Sequence, residues 1–119
     1  KLTHAEPWNE LISRVNEPIV SVSSRGEHLA CVTQSGRAFW GTGGNEFLQI
    51  NADIVQVACG AEHVGLLAAN GCVSVICGAD TAAKQVSVPG GEPIVQIVST
   101  FEILVALGIS GRVFISHKK

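Results

Sequence analysis

Three stretches of this chain are copies of one another, and that repetition limits the fold more than any other feature of the sequence. IVSVSSRGEHLACVTQSGRAF (Ile19 to Phe39), IVQVACGAEHVGLLAANGCVS (Ile54 to Ser74) and IVQIVSTFEILVALGISGRVF (Ile94 to Phe114) align without gaps, their starts 35 and 40 residues apart. A period of this size marks a repeat architecture, in which each copy is one supersecondary unit that buries its apolar surface against its neighbours.

The columns have a physical reading. Ile19-Val20-x-Val22, Ile54-Val55-x-Val57 and Ile94-Val95-x-Ile97 open each copy as a buried strand. Glu27, Glu62 and Glu102 fall at one position in the connection to a second apolar strand, namely Leu29 to Val32, Val64 to Leu67 and Leu104 to Leu107. Gly36, Gly71 and Gly111 then coincide and predict tight hairpin turns, because glycine reaches positive φ without steric cost. A third strand follows at Arg37-Ala38-Phe39, Cys72 to Val75 and Arg112 to Ile115.

Between copies there is room for a fourth, outer strand, with Phe47 to Ile50 and Gln85 to Val88 as candidates. Four short antiparallel strands per repeat make the blade of a propeller. The expectation is an all-β fold, a partial β-propeller of about three antiparallel blades. Residues 18–53, 54–93 and 94–119 are the repeats, the last incomplete, and 1–17 is the end of a preceding one. Within that first piece, Leu11, Ile12 and Val15 share one face of a possible short helix, but the segment also sits where an outer strand belongs, and the strand is preferred. Closed propellers need about four to eight blades, so three form an open arc with bare strand edges. Such an arc calls for further blades from the parent chain, a partner chain or self-association.

Composition agrees. Val and Ile together number 25 against 8 Leu, and branching at Cβ favours extended backbone. A hydrophobic share of 46% with only 15% charged residues excludes disorder and suggests apolar surface that meets further protein. The net charge of −2 and the scattered Lys and Arg give no positive footprint for nucleic acid or for an anionic membrane surface. No apolar run is long enough to span a bilayer, and no signal peptide opens the chain, which lacks Met and reads as an excised or processed piece. With no secretory signal, Cys31, Cys59, Cys72 and Cys77 are read as reduced thiols in an intracellular protein, cytoplasmic or nuclear.

The strings VACGAEHVGLLAANGCVSV and VSSRGEHLACVTQSGRAFWG resemble repeats of the regulator-of-chromosome-condensation family. In those, a V-x-x-G-x-x-H-like strand pair precedes a Gly turn and an aromatic-Gly strand end follows. The resemblance covers residues 18 to 116. The second copy matches through Gly60, His63 and Gly71; the first keeps His28, Gly36 and Phe39-Trp40-Gly41, with its glycine offset to Gly26. The third keeps Gly111 and Val113 but has Thr100 and Ile103 where the second has Gly60 and His63. The family's repeats are longer, and its G-Q-L-G-like segment is reduced here to Gly43 to Phe47. A WD-repeat propeller has a similar period, but its Gly-His start and Trp-Asp end do not occur at matching places. The resemblance implies a propeller, in a family that includes exchange factors for small GTPases, chromatin binders and protein inhibitors.

Reactive constellations are sparse. Cys59, His63, Cys72 and Cys77 could hold zinc, but His63 shares its column with His28, which has no such cysteines. An architectural histidine, its ring bonded to backbone across the blade, is the preferred reading. His28 and Cys31 are three apart on one strand and point to opposite faces. Gly41-Thr42-Gly43-Gly44 opens no helix and carries no following Lys-Ser/Thr, so a loop between blades is preferred to a phosphate cradle. Trp40, at a strand end, is expected to pack between blades.

The expectation is therefore a binding module with no catalytic, metal or cofactor residues. It is a scaffold for other proteins, with guanine-nucleotide exchange on a small GTPase or a chromatin-associated propeller as alternatives. Exchange would want an inserted loop and chromatin would want basic loops, and neither is visible. Partner contact is assigned to Arg25, Glu27, Glu62, Phe101 and Glu102, at the connections between first and second strands.

Overall fold

The computed structural model describes residues 15–25, 28–42, 46–51, 53–77, 83–100 and 102–117. They form three antiparallel sheets in chain order. β1 (Ile19–Arg25), β2 (His28–Thr33), β3 (Arg37–Thr42) and β4 (Glu46–Asn51) make the first. β5 (Ile54–Cys59), β6 (His63–Ala68), β7 (Val73–Cys77) and β8 (Lys84–Val86) make the second. β9 (Ile94–Ser99), β10 (Ile103–Gly108) and β11 (Val113–His117) make the third, which has three strands among the described residues. Within each sheet every strand pairs with the one before it, and no sheet crosses a repeat boundary, so each repeat is one blade.

Gly36, Gly71 and Gly111 lie in the second-to-third-strand turns with φ of 92°, 89° and 92°. Their amides donate to the carbonyls of Thr33, Ala68 and Gly108, three residues back. The register of each first strand slips at one residue, Val20, Val55 or Val95, which is a β-bulge. The extra residue returns Ile54 and Val57, three apart, to the same face. It leaves the bulged valine itself exposed in all three blades.

That face is what joins the blades. Ala30, Val32, Ala38 and Trp40 of the first blade pack on Ile54, Val57, Val64, Leu66 and Ile76 of the second, so Trp40 does lie between blades. Ala58, Leu67 and Val73 of the second pack in the same way on Ile94, Ile97, Leu104 and Ala106 of the third. Burying each Val, Ile or Leu of these seams stabilises by about 1.5–3 kcal/mol, and the alanines contribute less. A polar joint accompanies each seam: Ile54 N–H donates to Gly36 C=O and Ile94 N–H to Gly71 C=O, both at 3.0 Å.

Two expectations are revised. Gly41 and Thr42 are not in a loop between blades; they end β3 and pair with Phe47 and Glu46, so the glycine-rich stretch joins the third and fourth strands of one blade. Of the segment 1–17, residues 1–14 lie outside the described residues. Val15 has helical backbone rather than the strand preferred from sequence, and it packs on Ile19, Cys31 and Phe39.

Candidate functional site

The first strands all deliver their C-terminal ends to one face of the arc. Arg25, the last residue of β1, demonstrates this: its Nε donates to Cys59 C=O at 3.4 Å and its Nη2 to Ser99 C=O at 3.3 Å, the last residues of β5 and β9. One half-buried guanidinium thus ties all three blades. Ser23 adds a second tie, its Oγ accepting from Cys59 N–H at 2.9 Å and its carbonyl from the Cys59 thiol at 3.4 Å. Glu62 and Glu102 are exposed in the adjoining loops of the second and third blades. Glu27 and Phe101 lie outside the described residues. The structure therefore gathers Arg25 and the loops of Glu62 and Glu102 at one end, and gives Arg25 a bracing role that its place beside a loop did not announce.

His63 opens β6 and is buried. It reaches a side chain of the next blade: Nε2 lies 2.6 Å from Ser99 Oγ. Ser99 ends β9 on the side facing the second blade, which puts its hydroxyl in front of the ring. That hydroxyl donates to the carbonyls of Thr100 and Ile103, at 3.1 and 3.3 Å. Gly60 lies against the same ring, where a Cβ would collide with the imidazole. In the third copy the loop closes identically without either residue. Thr100 N–H donates to Ile103 C=O as Gly60 N–H does to His63 C=O, both at 2.8 Å, and Thr100 Oγ1 accepts from Ile103 N–H.

The opposite end carries two carboxylate clasps that the repeat alignment missed. Glu17 accepts from Ser35 N–H, Ser35 Oγ and Arg37 Nε, each at 2.9 Å, and pairs with Arg37 Nη2. Glu92 accepts from Ser110 N–H at 3.0 Å and Ser110 Oγ at 2.6 Å, with Arg112 Nη2 2.9 Å from its other oxygen. The Arg37 guanidinium, helped by Ser35, holds the Glu17 carboxyl down at about 2. The Ser110 hydrogen bonds, with Arg112, lower that of Glu92. The signal was in the sequence: Ser-Gly-Arg stands at 35–37 and 110–112 within the aligned blocks, and Glu-Pro at 17–18 and 92–93 just before them.

The four cysteines are free. Burial pushes the Cys31 thiol up and the Cys59 thiol to about 11, so both stay protonated at neutral pH. His63 pairs with Cys77 across β6 and β7, whereas Cys72 follows the turn at the far end of β6, so the four suggested zinc ligands do not converge. Among the described residues no three His, Cys, Asp or Glu side chains gather as a metal site, and no helix is long and apolar enough to cross a membrane. A cleft between the second and third blades is lined by Val73, Val86, Val88, Leu104 and Phe114 and by no charged group.

No protein-family model and no curated protein matches the sequence. Solved structures do match. Human WBSCR16 aligns with a TM-score of 0.71 at 15% identity, over 84% of this chain and 34% of that one. Prp20p from Saccharomyces cerevisiae, the yeast RCC1, aligns at 0.70 and 14% identity, over 87% and 31%. The chain of BBS1N, solved in complex with ARL6DN, aligns at 0.57 and 16% identity, over 77% and 33%. The chain spans about a third of the length of the structures it matches. These likenesses, together with three four- or three-stranded antiparallel blades joined face to face, establish the fold as a segment of a β-propeller.

Proposed function

We propose that this chain is an RCC1-type propeller segment that holds other proteins and performs no chemistry of its own. The observation that carries this is the Arg25 brace. It fixes three strand ends on one face, so that their loops present Glu62 and Glu102 together, with Glu27 at the equivalent position of the first repeat. A preassembled loop face suits docking, because less order has to be imposed when the partner arrives. Buried, protonated thiols at Cys31 and Cys59 support binding rather than catalysis, and four free cysteines suit an intracellular setting.

A GTPase partner is the second reading, supported by the likeness to Prp20p, whose structure was reported with its binding properties to Gsp1p and histones. The scarcity of basic residues in the loops favours protein over chromatin.

Reversing Glu27, Glu62 and Glu102 to lysine tests the reading. Partners recovered by the native chain from lysate should be lost or weakened in the triple variant, more so at low salt, with the circular dichroism spectrum unchanged. Equal recovery by both proteins moves the site to the end bearing Gln34, Asn70 and Ser110. Faster nucleotide release from a recovered GTPase establishes the second reading.

A further inference from the structure

Glu, Ser and Arg come as a set in this chain. Glu17, Ser35 and Arg37 clasp the turn of the first blade and Glu92, Ser110 and Arg112 that of the third. In the second copy all three are replaced together, by Ala52, Asn70 and Cys72. That turn is closed differently, with Asn70 Oδ1 accepting from Cys72 N–H at 3.0 Å. The serines are the members most open to reagents: Ser35 and Ser110 are exposed, while the carboxylates they bond are more covered. Ser35 is exposed with the following blade packed beside its turn, Gly36 lying against Asp53.

Each carboxylate also anchors the link that enters its blade. Next to Glu92, Pro93 C=O accepts from Ile109 N–H, and Ile94 N–H donates to Gly71 C=O of the second blade, both at 3.0 Å. The Glu92 clasp therefore fixes the residues through which the second and third blades meet at this end. A phosphoryl group on Ser110 Oγ would remove the proton that Glu92 accepts at 2.6 Å. In its place would stand a charge of about −1.5 to −2, facing a carboxylate on one side and Arg112 on the other. A guanidinium between a carboxylate and a phosphate dianion goes to the dianion.

We propose that Ser35 and Ser110 are phosphorylation sites, and that the modification expels Glu17 or Glu92 from its clasp and passes the arginine to the phosphate. A serine kinase supplies the group from a nucleoside triphosphate: the bond from the terminal phosphorus to its bridging oxygen breaks, the P–Oγ bond forms, and the hydroxyl proton leaves to the kinase's base. At Ser110 the result is a loosened joint between the second and third blades. This switch sits at the end of the blades away from Arg25, and it stands whichever partner the opposite face binds.

Incubation of the chain with magnesium ATP and a serine kinase that selects arginine two residues after the acceptor tests the sites. Mass spectrometry should find phosphate on Ser35 and Ser110, and its absence from both overturns the proposal. The consequence is read on a chain made with phosphoserine in place of Ser110. Its Ile94 and Ile109 amides should exchange with deuterium about tenfold faster than in the native chain, with Ile54, in the joint between the first and second blades, unchanged. Ser110→Ala, which loses the hydroxyl bond alone, should move them less. Adding Glu92→Gln to the phosphoserine chain should slow the exchange again, because the like charge is gone. Exchange at Ile94 no faster than native, or equally fast with and without Glu92→Gln, would show that no such switch exists.

Discussion

The imidazole of His63 in the second blade reaches the hydroxyl of Ser99 in the third, 2.6 Å away, and Gly60 clears the space that lets it do so. Glycine at position 60 is needed because the ring occupies the place of a side chain. Gly60→Ala should destabilise by about 1–3 kcal/mol, since the ring must leave its partner or the loop must shift. Ser99→Ala should cost about 1–2 kcal/mol, and a double-mutant cycle with His63→Gln in urea should return a non-zero coupling between the two positions. Additive effects would show that the pair is adjacent without being bonded.

The Glu17 clasp predicts an acid limb of stability. A carboxyl whose pKa is depressed on folding contributes stability that is full above its ordinary value and fades as pH falls through the folded one. For Glu17 that window runs from 4.5 down to about 2, with Arg37 as the main cause. Urea midpoints of the native protein should therefore drop across this interval. Glu17→Gln should flatten the slope, and an unchanged profile would mean that the clasp is broken in solution.

Turn glycines should differ in their tolerance of a side chain. Gly71→Ala meets both unfavourable φ and the body of Pro93, whereas among the described residues Gly111→Ala meets only the φ. Strain of the backbone alone costs about 1–3 kcal/mol. In urea unfolding, the substitution at Gly71 should cost more than that at Gly111, and equal costs would show that the seam between the second and third blades does not form as described.

Thiol reactivity should follow burial. With an aromatic disulfide reagent, Cys77 should be modified first and Cys72 next, while Cys31 and Cys59 should wait for unfolding. Elemental analysis of reduced protein should find no stoichiometric zinc. One equivalent per chain would require His63 and the cysteines to rearrange.

Strands and turns were legible in the sequence because each column answers to one requirement: Val57 and Ile97 to a seam, Gly71 to a positive φ. The bulge at Val55 was not, since a slip in register leaves no mark on residue type. Glu17 and Glu92 went unread because their partners lie 18 residues on, at Ser35 and Ser110, across a blade rather than along a strand. Arg25 looked like any surface cation beside a loop. Its targets are backbone carbonyls, which every residue possesses, so no pattern of side chains points to them.

That arginine has a mechanical consequence. A load applied at the strand end of one blade is shared, through the guanidinium, with the strand ends of the other two, in addition to the seams between the blades. Arg25→Gln would leave the blades and their apolar seams intact but release the strand ends beneath the loops, so a partner spanning two loops would meet a less fixed surface. The chain fixes that spacing with two hydrogen bonds from one side chain, beside the face where its loops open to solvent.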